Sequence, residues 1–576
     1  MTRRCLALSL LLAPLAACDN NDTNFWLPTN DLLPMVALDD RVVFVERNSQ
    51  TAFVLDPGDP SLTPRQVPVG KAPVAGVKRN GSNQLLVLAK GDRGSSSVLA
   101  VPAELDIIEA VPADPAKPVH ANLLTGRFDA MAQSDDGNFL VLYHSPSGQS
   151  QADSALFNPN EMTVADFTPP IPPTTPKLTA KTIRSLGGVP SAVVFSPSYP
   201  FTYGPRTLAV VLSQNYVTIQ DLNHADNTEI SVPLCPQTAN CNLTPVQVVF
   251  DPANLSIYAR VSGAKDIYQI TLTDLAKTLL PGQPMPSAPS NDFSASLSML
   301  AVGSTPADMA LYPIVTPTGI ESRLAVASAE SRTLVIIDPK TSQTVSVTTS
   351  IPVSQIVTFV RPPQTATDKA RQQALLIDRL LGNASVIFAD LEQVSTTGGL
   401  ALSDYPLAAA AGEVHPLLDQ GIVVLVAGKY SGSAAVTVVD LASRSFSAFG
   451  TSSSLAVPTF ETRSPSRLWS VDQGTGLCYL NLSARTNTVT GLLDEPRLAT
   501  GETWLDQNIV SISPLAVASS RSLAPGTLPP RYLVVGHDDP NGIGNLTILD
   551  ADHPDRANAR AAYGFLFTNY LERKQP

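Results

Sequence analysis

One pattern of apolar and polar positions recurs along this chain. Its clearest copy is Arg323–Ser350 (RLAVASAESRTLVIIDPKTSQTVSVTTS), where Leu324 and Val326 alternate with small residues and Ala-Glu-Ser-Arg forms a turn. An apolar run from Leu334 to Ile337 follows, then an Asp-Pro turn, then Val345 and Val347 alternating with polar residues. This predicts strand, tight turn, strand, turn, strand. Val335-Ile336-Ile337 and Val436-Thr437-Val438-Val439 present apolar groups on both faces, so both faces of the sheet must be covered. A parallel α/β sheet would also cover both, but the amphipathic crossover helices it needs are missing. Only Ala370–Leu381 and the tail Arg556–Tyr570 read as possible helix, and the first reads equally well as a strand.

Similar hairpins occur at Arg41–Asp56, Leu85–Val101, Asn138–Asn158 (looser), Thr207–Leu222, Ser256–Leu275, Arg323–Asp338, Gln373–Leu391, Gly421–Leu441, Arg467–Leu482 and Tyr532–Asp550. These candidate units are spaced by roughly 40 to 70 residues, the period of a β-propeller with three or four strands per blade. The connections carry a second recurring element. It reads Val67-Pro-Val-Gly-Lys-Ala-Pro-Val-Ala-Gly-Val77, then Leu186-Gly-Gly-Val-Pro-Ser-Ala-Val-Val-Phe-Ser-Pro197, then Leu300-Ala-Val-Gly-Ser-Thr-Pro-Ala-Asp-Met309. Asp135-Asp136-Gly137-Asn138 and Asp251-Pro252-Ala253-Asn254 are turns leading into the next strand.

On these residues, residues 36–550 resemble the YVTN-type β-propeller repeats of bacterial surface and periplasmic proteins. In those repeats a PVG element, an (S/D)P(D/N)G turn and a V.VID..T strand follow in order. The chain lacks the Tyr-Val-Thr-Asn itself and carries long insertions at Ser145–Pro176, Pro281–Phe293 and Thr500–Pro530. The resemblance implies an all-β propeller of seven to ten blades, expected as a single ring, with the amino-terminal strands and the carboxyl-terminal segment completing one blade together. Related propellers serve as surface-layer modules, assembly scaffolds, lactonases and quinoprotein dehydrogenases, so the fold alone selects no activity.

The amino terminus adds a location. Arg3 and Arg4 precede an apolar core from Leu6 to Leu15, a secretory signal too short to span a membrane stably. Leu15-Ala16-Ala17-Cys18 resembles the bacterial lipobox. That resemblance implies a signal peptide over residues 1–17, removed before a lipidated Cys18 carrying palmitate-type acyl chains. Residues 18–35 would then be a tether and 36–576 the propeller. Several acyl chains anchor stably where one is marginal. The segment Asn20–Leu33 reaches about 45 Å when fully extended, which would hold the folded body close to the bilayer. Phe25 and Trp26 suit either the membrane interface or a cap on the propeller. The expected location is the bacterial cell envelope, with the body in the periplasm or on the cell surface. Asp19 does not decide between inner and outer membrane, because sorting rules differ among lineages.

Apolar residues make up 44% and charged residues 15%, which indicates a globular chain, and 50 prolines favour turns over helices. The net charge of -12, with no Lys/Arg cluster, argues against nucleic acid as a partner and against electrostatic docking on anionic lipid.

Cys235 and Cys241 flank a five-residue polar loop, and outside the cytoplasm they are expected to form a disulfide. A metal site competes as a reading, but no histidine lies near and the spacing is not that of a zinc knuckle. Cys478 in a strand pattern reads as a buried thiol acting as a small hydrophobe. No Gly-x-Ser-x-Gly, HExxH, phosphate loop or dinucleotide fingerprint occurs, and no catalytic residue is assigned. The six histidines are scattered in sequence, although residues converging from distant blades would escape such a search. Asp538, Asp539 and Asn541 lie in a glycine-bearing turn (His537-Asp-Asp-Pro-Asn-Gly) that could hold a calcium ion. A turn closed by Asx hydrogen bonds explains the same residues. No other cofactor is expected.

Two functions follow as expectations. One is a membrane-anchored module that binds or assembles an envelope protein or a polysaccharide through its loop faces. The other is a propeller enzyme of lactonase or quinoprotein-dehydrogenase type with its site at the central opening. A third reading is a structural surface protein with no ligand, and an exposed apolar patch on one face would favour the partner-binding reading over it.

Overall fold

The repeated hairpins fold into ten four-stranded antiparallel sheets, the blades of a β-propeller, in a computed structural model of the protein. The structure describes residues 31–94, 99–146, 158–184, 188–235, 241–279, 290–317, 319–363, 368–394, 399–428, 435–450, 455–461, 466–472, 476–482, 498–500, 508–516, 530–538, 544–552 and 559–562. In chain order the blades span residues 36–68, 73–124, 130–182, 192–233, 244–301, 308–348, 355–406, 411–449, 456–500 and 508–562, and are numbered 1 to 10 here. The strands of each blade pair in sequence order, and blade 4 carries an extra hairpin, Tyr199–Phe201 with Gly204–Arg206. Among the described residues, helical elements are three-residue 3-10 turns such as Pro252–Asn254. No helix there is long and apolar enough to cross a membrane.

Eight of the ten predicted hairpins supply the second and third strands of a blade, while Leu85–Val101 and Asn138–Asn158 hold only the second, the third strand of blade 2 being Ala103–Glu109. Ten blades are present, the upper end of the expected range. Arg323–Ser350 becomes strands Gly319–Ser328, Thr333–Ile337 and Thr344–Thr348, with Leu324 opposite Ile337 and Ile336 opposite Val345. Ala370–Leu381 resolves as strand Arg371–Ile377. Within Arg556–Tyr570, Arg560–Ala562 is a strand.

Three expectations are corrected. Blade 3 takes its third strand from Glu161–Asp166, beyond the looser hairpin and inside the stretch read as an insertion. Asn508–Ala516, inside the other supposed insertion at Thr500–Pro530, is the first strand of blade 10. A long connection separates each from its partner strand and hides it from a local pattern. The chain ends do not share a blade either: Val36–Pro68 and Asn508–Ala562 each supply all four strands of their own sheet.

The chain divides into two compact units. The smaller is Met1–Pro68 with Gly474–Leu477 and Gly501–Pro576. In it, blades 1 and 10 pack face to face: Val42, Phe44, Phe53 and Leu55 meet Val534, Leu546 and Ile548. Arg560 of the last strand donates to the carbonyl of Asp59 at 2.9 Å and to that of Pro57. First and last blades thus join by packing and an arginine clasp, which removes the need for a shared strand.

The larger unit, Val69–Gln473 with Cys478–Thr500, shows why its strands are apolar on both faces. Side chains of a strand alternate between faces. In blade 6, Leu324, Val326, Val335 and Ile337 pack on Tyr258 and Ile267 of blade 5, whereas Ala325, Ala327, Leu334 and Ile336 pack on Ile356, Leu376 and Ile387 of blade 7. Each such side chain contributes about 1.5–3 kcal/mol on full burial, so the inter-blade seams carry most of the stabilisation. The predicted Asx turns sit at the head of second strands. Asp136 accepts from the Asn138 amide at 3.0 Å, and Asp251 from the Asn254 amide at 3.3 Å.

Candidate interaction surface

Polar groups on the first strands of the larger unit are engaged in clamps between blades. First strand Asp308–Thr316 of blade 6 runs beside Thr244–Asp251 of blade 5 and Gln355–Arg361 of blade 7. Asp308, the acid of the Val-Gly-Ser-Thr-Pro-Ala-Asp connection, accepts from Gln247 Nε2 at 2.7 Å on one side and from the Ile356 amide at 2.7 Å on the other. Arg260 Nε donates to Gln247 Oε1 at 2.8 Å and completes the group. Burial pushes the Asp308 carboxyl up, and its hydrogen-bond donors oppose that shift. Arg379 similarly joins Gln355 Oε1 of blade 7 at 3.1 Å to the Gly412 carbonyl of blade 8 at 2.9 Å.

Another acid is deeper. Asp106 in strand Ala103–Glu109 is 1% exposed and accepts from the Gly70 amide at 2.6 Å. Burial, with the nearby Glu104 adding to it, raises its carboxyl to about 7 despite the Gly70 bond. Gly70 belongs to the Pro-Val-Gly connection, and a Cβ there would sit 2.3 Å from Glu104 Oε1 and 2.7 Å from the Ala89 Cβ. Glycine therefore lets the connection lie on the acid pair. Sequence reading gave this carboxylate no role, because a single Asp in an apolar strand carries no motif.

The exposed chemistry lies elsewhere. In blade 6 the first and second strands pair out to Val315–Ile320 and Thr316–Gly319, whereas the third strand begins to pair only at Leu324. The hairpin end therefore projects as a two-stranded ribbon with Val315 85% and Ile320 74% exposed. At the matching end of blade 7, Val360 stands opposite Gln372 and is 56% exposed. On blade 8, Leu418 follows the first strand in a 3-10 turn and is 48% exposed. Between Val360 and Leu418 opens a cleft of about 480 Å³ lined also by Tyr312, Pro313, Phe359 and Leu441, among others. A second cleft of about 330 Å³ lies on the other side of Tyr312, with Val315, Arg323, Asp338 and Glu392 in its wall. Burial raises the Tyr312 hydroxyl, so it stays neutral. Arg323 bridges Glu321 at 3.0 Å and Asp338 at 3.2 Å, giving the apolar ledge a charged border.

The predicted site residues are dispersed. Cys235 and Cys241 are joined in a disulfide with Cα atoms 6.3 Å apart. Cys478 is fully buried in strand Gly476–Asn481, and its Sγ donates to the Ser470 carbonyl at 3.4 Å. Cys18 lies outside the described residues, as do Asp539 and Asn541, while Asp538 ends strand Arg531–Asp538 opposite Asn508 and Gly544. His537 is buried, with Nε2 2.8 Å from Thr547 Oγ1. Among the described residues no group of three or more His, Cys, Asp or Glu is placed to hold a metal ion. The ledge leaves no signal in the sequence, because its members are single apolar residues in strands or at a strand end, identical in pattern to core positions.

Fold and surface together define a ten-bladed all-β propeller with an apolar ledge. No protein-family model matches the chain, and no curated protein matches it. Solved structures similar to it include the dihydro-heme d1 dehydrogenase NirN, at 11% identity and TM-score 0.38, covering 83% of this chain and 78% of that one. AztD from Citrobacter koseri is 12% identical with TM-score 0.29, covering 66% and 86%. A 6-phosphogluconolactonase-like protein from Bacteroides fragilis is 12% identical with TM-score 0.32, covering 63% and 93%. Likeness at this level bears on no activity.

Proposed function

We propose that this protein is a lipid-anchored propeller of the bacterial cell envelope that docks a partner envelope protein on the ledge of blades 6 to 8. One observation carries the reading: Val315, Ile320, Val360 and Leu418 are exposed at the same hairpin end of three consecutive blades, where Val360 and Leu418 line an apolar cleft and Val315 lines a second one beyond Tyr312. Contiguous exposed apolar surface with a charged rim is the make-up of a protein interface core. Branched aliphatic side chains offer neither hydrogen bonds nor flat rings to a sugar, so a protein fits this face better than a polysaccharide. Acyl chains on Cys18 would keep the ledge near the membrane, where such a partner resides.

The test is site-specific photocrosslinking in intact cells. A photoreactive residue at Val315 or Val360 is expected to give one reproducible adduct. The same residue at Leu380, which is 71% exposed on the turn between the second and third strands of blade 7, should not give it. The adduct should weaken with Cys18→Ala and disappear with Val315→Asp plus Val360→Asp. Equal labelling from Leu380, or no adduct together with turnover of lactones by the purified chain, would overturn the proposal and favour the enzyme.

A further inference from the structure

The outermost strand of a blade leaves one edge without a strand partner, and most outer strands here are guarded. Arg65–Pro68, Ile230–Pro233 and Leu400–Pro406 carry proline, and Lys177–Thr182 carries two lysines. Thr344–Thr348 and Ser445–Phe449 are five residues long. Short length, proline and lysine are the usual protections against edge-to-edge pairing. Blade 5 has none of them. Its outer strand, Phe293–Ala301, runs nine residues as FSASLSMLA, with no charge and no proline. It pairs with Asp266–Asp274 on one side, and no strand is paired to its other side among the described residues. Ser294, Ser296, Leu297, Ser298, Met299 and Ala301 are exposed, with Met299 at 62%.

The phase of this edge can be read. The Leu275 amide donates to the Asp292 carbonyl at 2.9 Å, where the two strands meet. Antiparallel hydrogen bonding alternates residue by residue, so Ser294, Ser296, Ser298 and Leu300 point their backbone groups inward to the ladder. Phe293, Ala295, Leu297, Met299 and Ala301 then offer theirs outward. Side chains alternate with the same period, Ser294, Ser296, Ser298 and the buried Leu300 on one face and Phe293, Ala295, Leu297, Met299 and Ala301 on the other.

We infer that Phe293–Ala301 is a homotypic strand-addition site, at which a second copy of this chain pairs antiparallel about a twofold axis through Leu297. This goes beyond the proposed docking ledge, which lies on other blades. The axis sets Leu297 opposite its own copy, Ala295 opposite Met299 and Phe293 opposite Ala301. All five outward-facing residues then exchange hydrogen bonds, about ten in total. The same register sets Ser296 opposite Ser298 on one face and closes Leu297 and Met299 over each other on the other. A symmetric interface must be self-complementary, and an uncharged strand alternating serine with apolar residues meets that condition without like-charge contact. Added strands of this kind draw affinity from main-chain bonds.

Sedimentation velocity on the full chain over about a hundredfold concentration range, for which mass action predicts a monomer–dimer shift, reads the assembly. Ser296→Lys is expected to leave only monomer, with the thermal midpoint the unsubstituted chain has when diluted to monomer. Oxidised Leu297→Cys should give a covalent dimer beyond that of the unsubstituted chain, since opposed Cα atoms about 5.5 Å apart suit a disulfide. Met299→Cys should not, because its two copies stand about 13 Å apart along the strands. A wild-type chain that stays monomeric throughout overturns the inference. So does a dimer that survives Ser296→Lys, or crosslinking of Met299→Cys equal to that of Leu297→Cys.

Discussion

Replacing Asp106 by Asn should make the protein more stable at pH 8 and leave it unchanged at pH 4. The carboxyl titrates near 3.8 when exposed and at about 7 in the fold, where burial disfavours its charge. Between those values the folded chain holds a proton that the unfolded chain has released. Stability contributed by this group is therefore fully present below pH 3.8 and lost as pH rises through 7. A difference of about three pH units corresponds to about 4 kcal/mol at pH 8, as an upper bound. Asn keeps an oxygen for the Gly70 amide and carries no charge, so it escapes that loss. Other acids act in the opposite sense. Hydrogen bonds hold the Asp136 and Asp378 carboxyls low in spite of burial, and their contribution is lost as pH falls. The wild-type profile mixes both trends, and only the difference between wild type and Asp106→Asn isolates this group. Urea unfolding at pH 4, 6 and 8 is the assay, with the gap growing across that range. Glu104→Gln removes the neighbouring charge, lowers the folded value and should make the gap level off at lower pH and at a smaller size. A gap independent of pH, or an Asn variant less stable than wild type at pH 8, would refute the reasoning.

Three further outcomes are expected. Asp308→Ala strands Gln247 Nε2 and the Ile356 amide between blades and should lower stability by about 3 kcal/mol, with Asp308→Asn recovering part of it in the same unfolding assay. Gly137→Ala should be more damaging than a surface substitution, by about 2 kcal/mol or more. Gly137 has φ +66°, and a Cβ there would lie 2.1 Å from the Asn80 carbonyl oxygen, so the thermal midpoint should fall sharply. Removing the Cys235–Cys241 disulfide by a double Ser substitution frees a short loop and should cost about 2 kcal/mol, read as a difference between oxidised and reduced protein that the double variant lacks.

Much of the architecture was legible because strand burial is written locally. Val335-Ile336-Ile337 is apolar on both faces since each face meets a different blade, and no other layer arrangement without helices would require it. Most of the hairpins need only a short connection between two such runs, whereas blades 2 and 3 join theirs by longer ones. Glu161–Asp166 and Asn508–Ala516 escaped because long connections separate them from their partners, so their pairing depends on the blade as a whole.

The sequence by itself determined the propeller class, eight of the ten hairpins, the Asx turns and the Cys235–Cys241 pair, since each follows from contacts between near neighbours. Only the tertiary structure decided the rest. Asp308 joins Gln247, 61 residues before it, to Ile356, 48 residues after it, because packing brings three first strands side by side. Leu324 and Val315 are both apolar residues of one hairpin, yet the first is fully buried and the second 85% exposed. The difference is where the third strand stops. Side-chain type states a preference for burial, and the fold decides which preferences are left unmet at the surface.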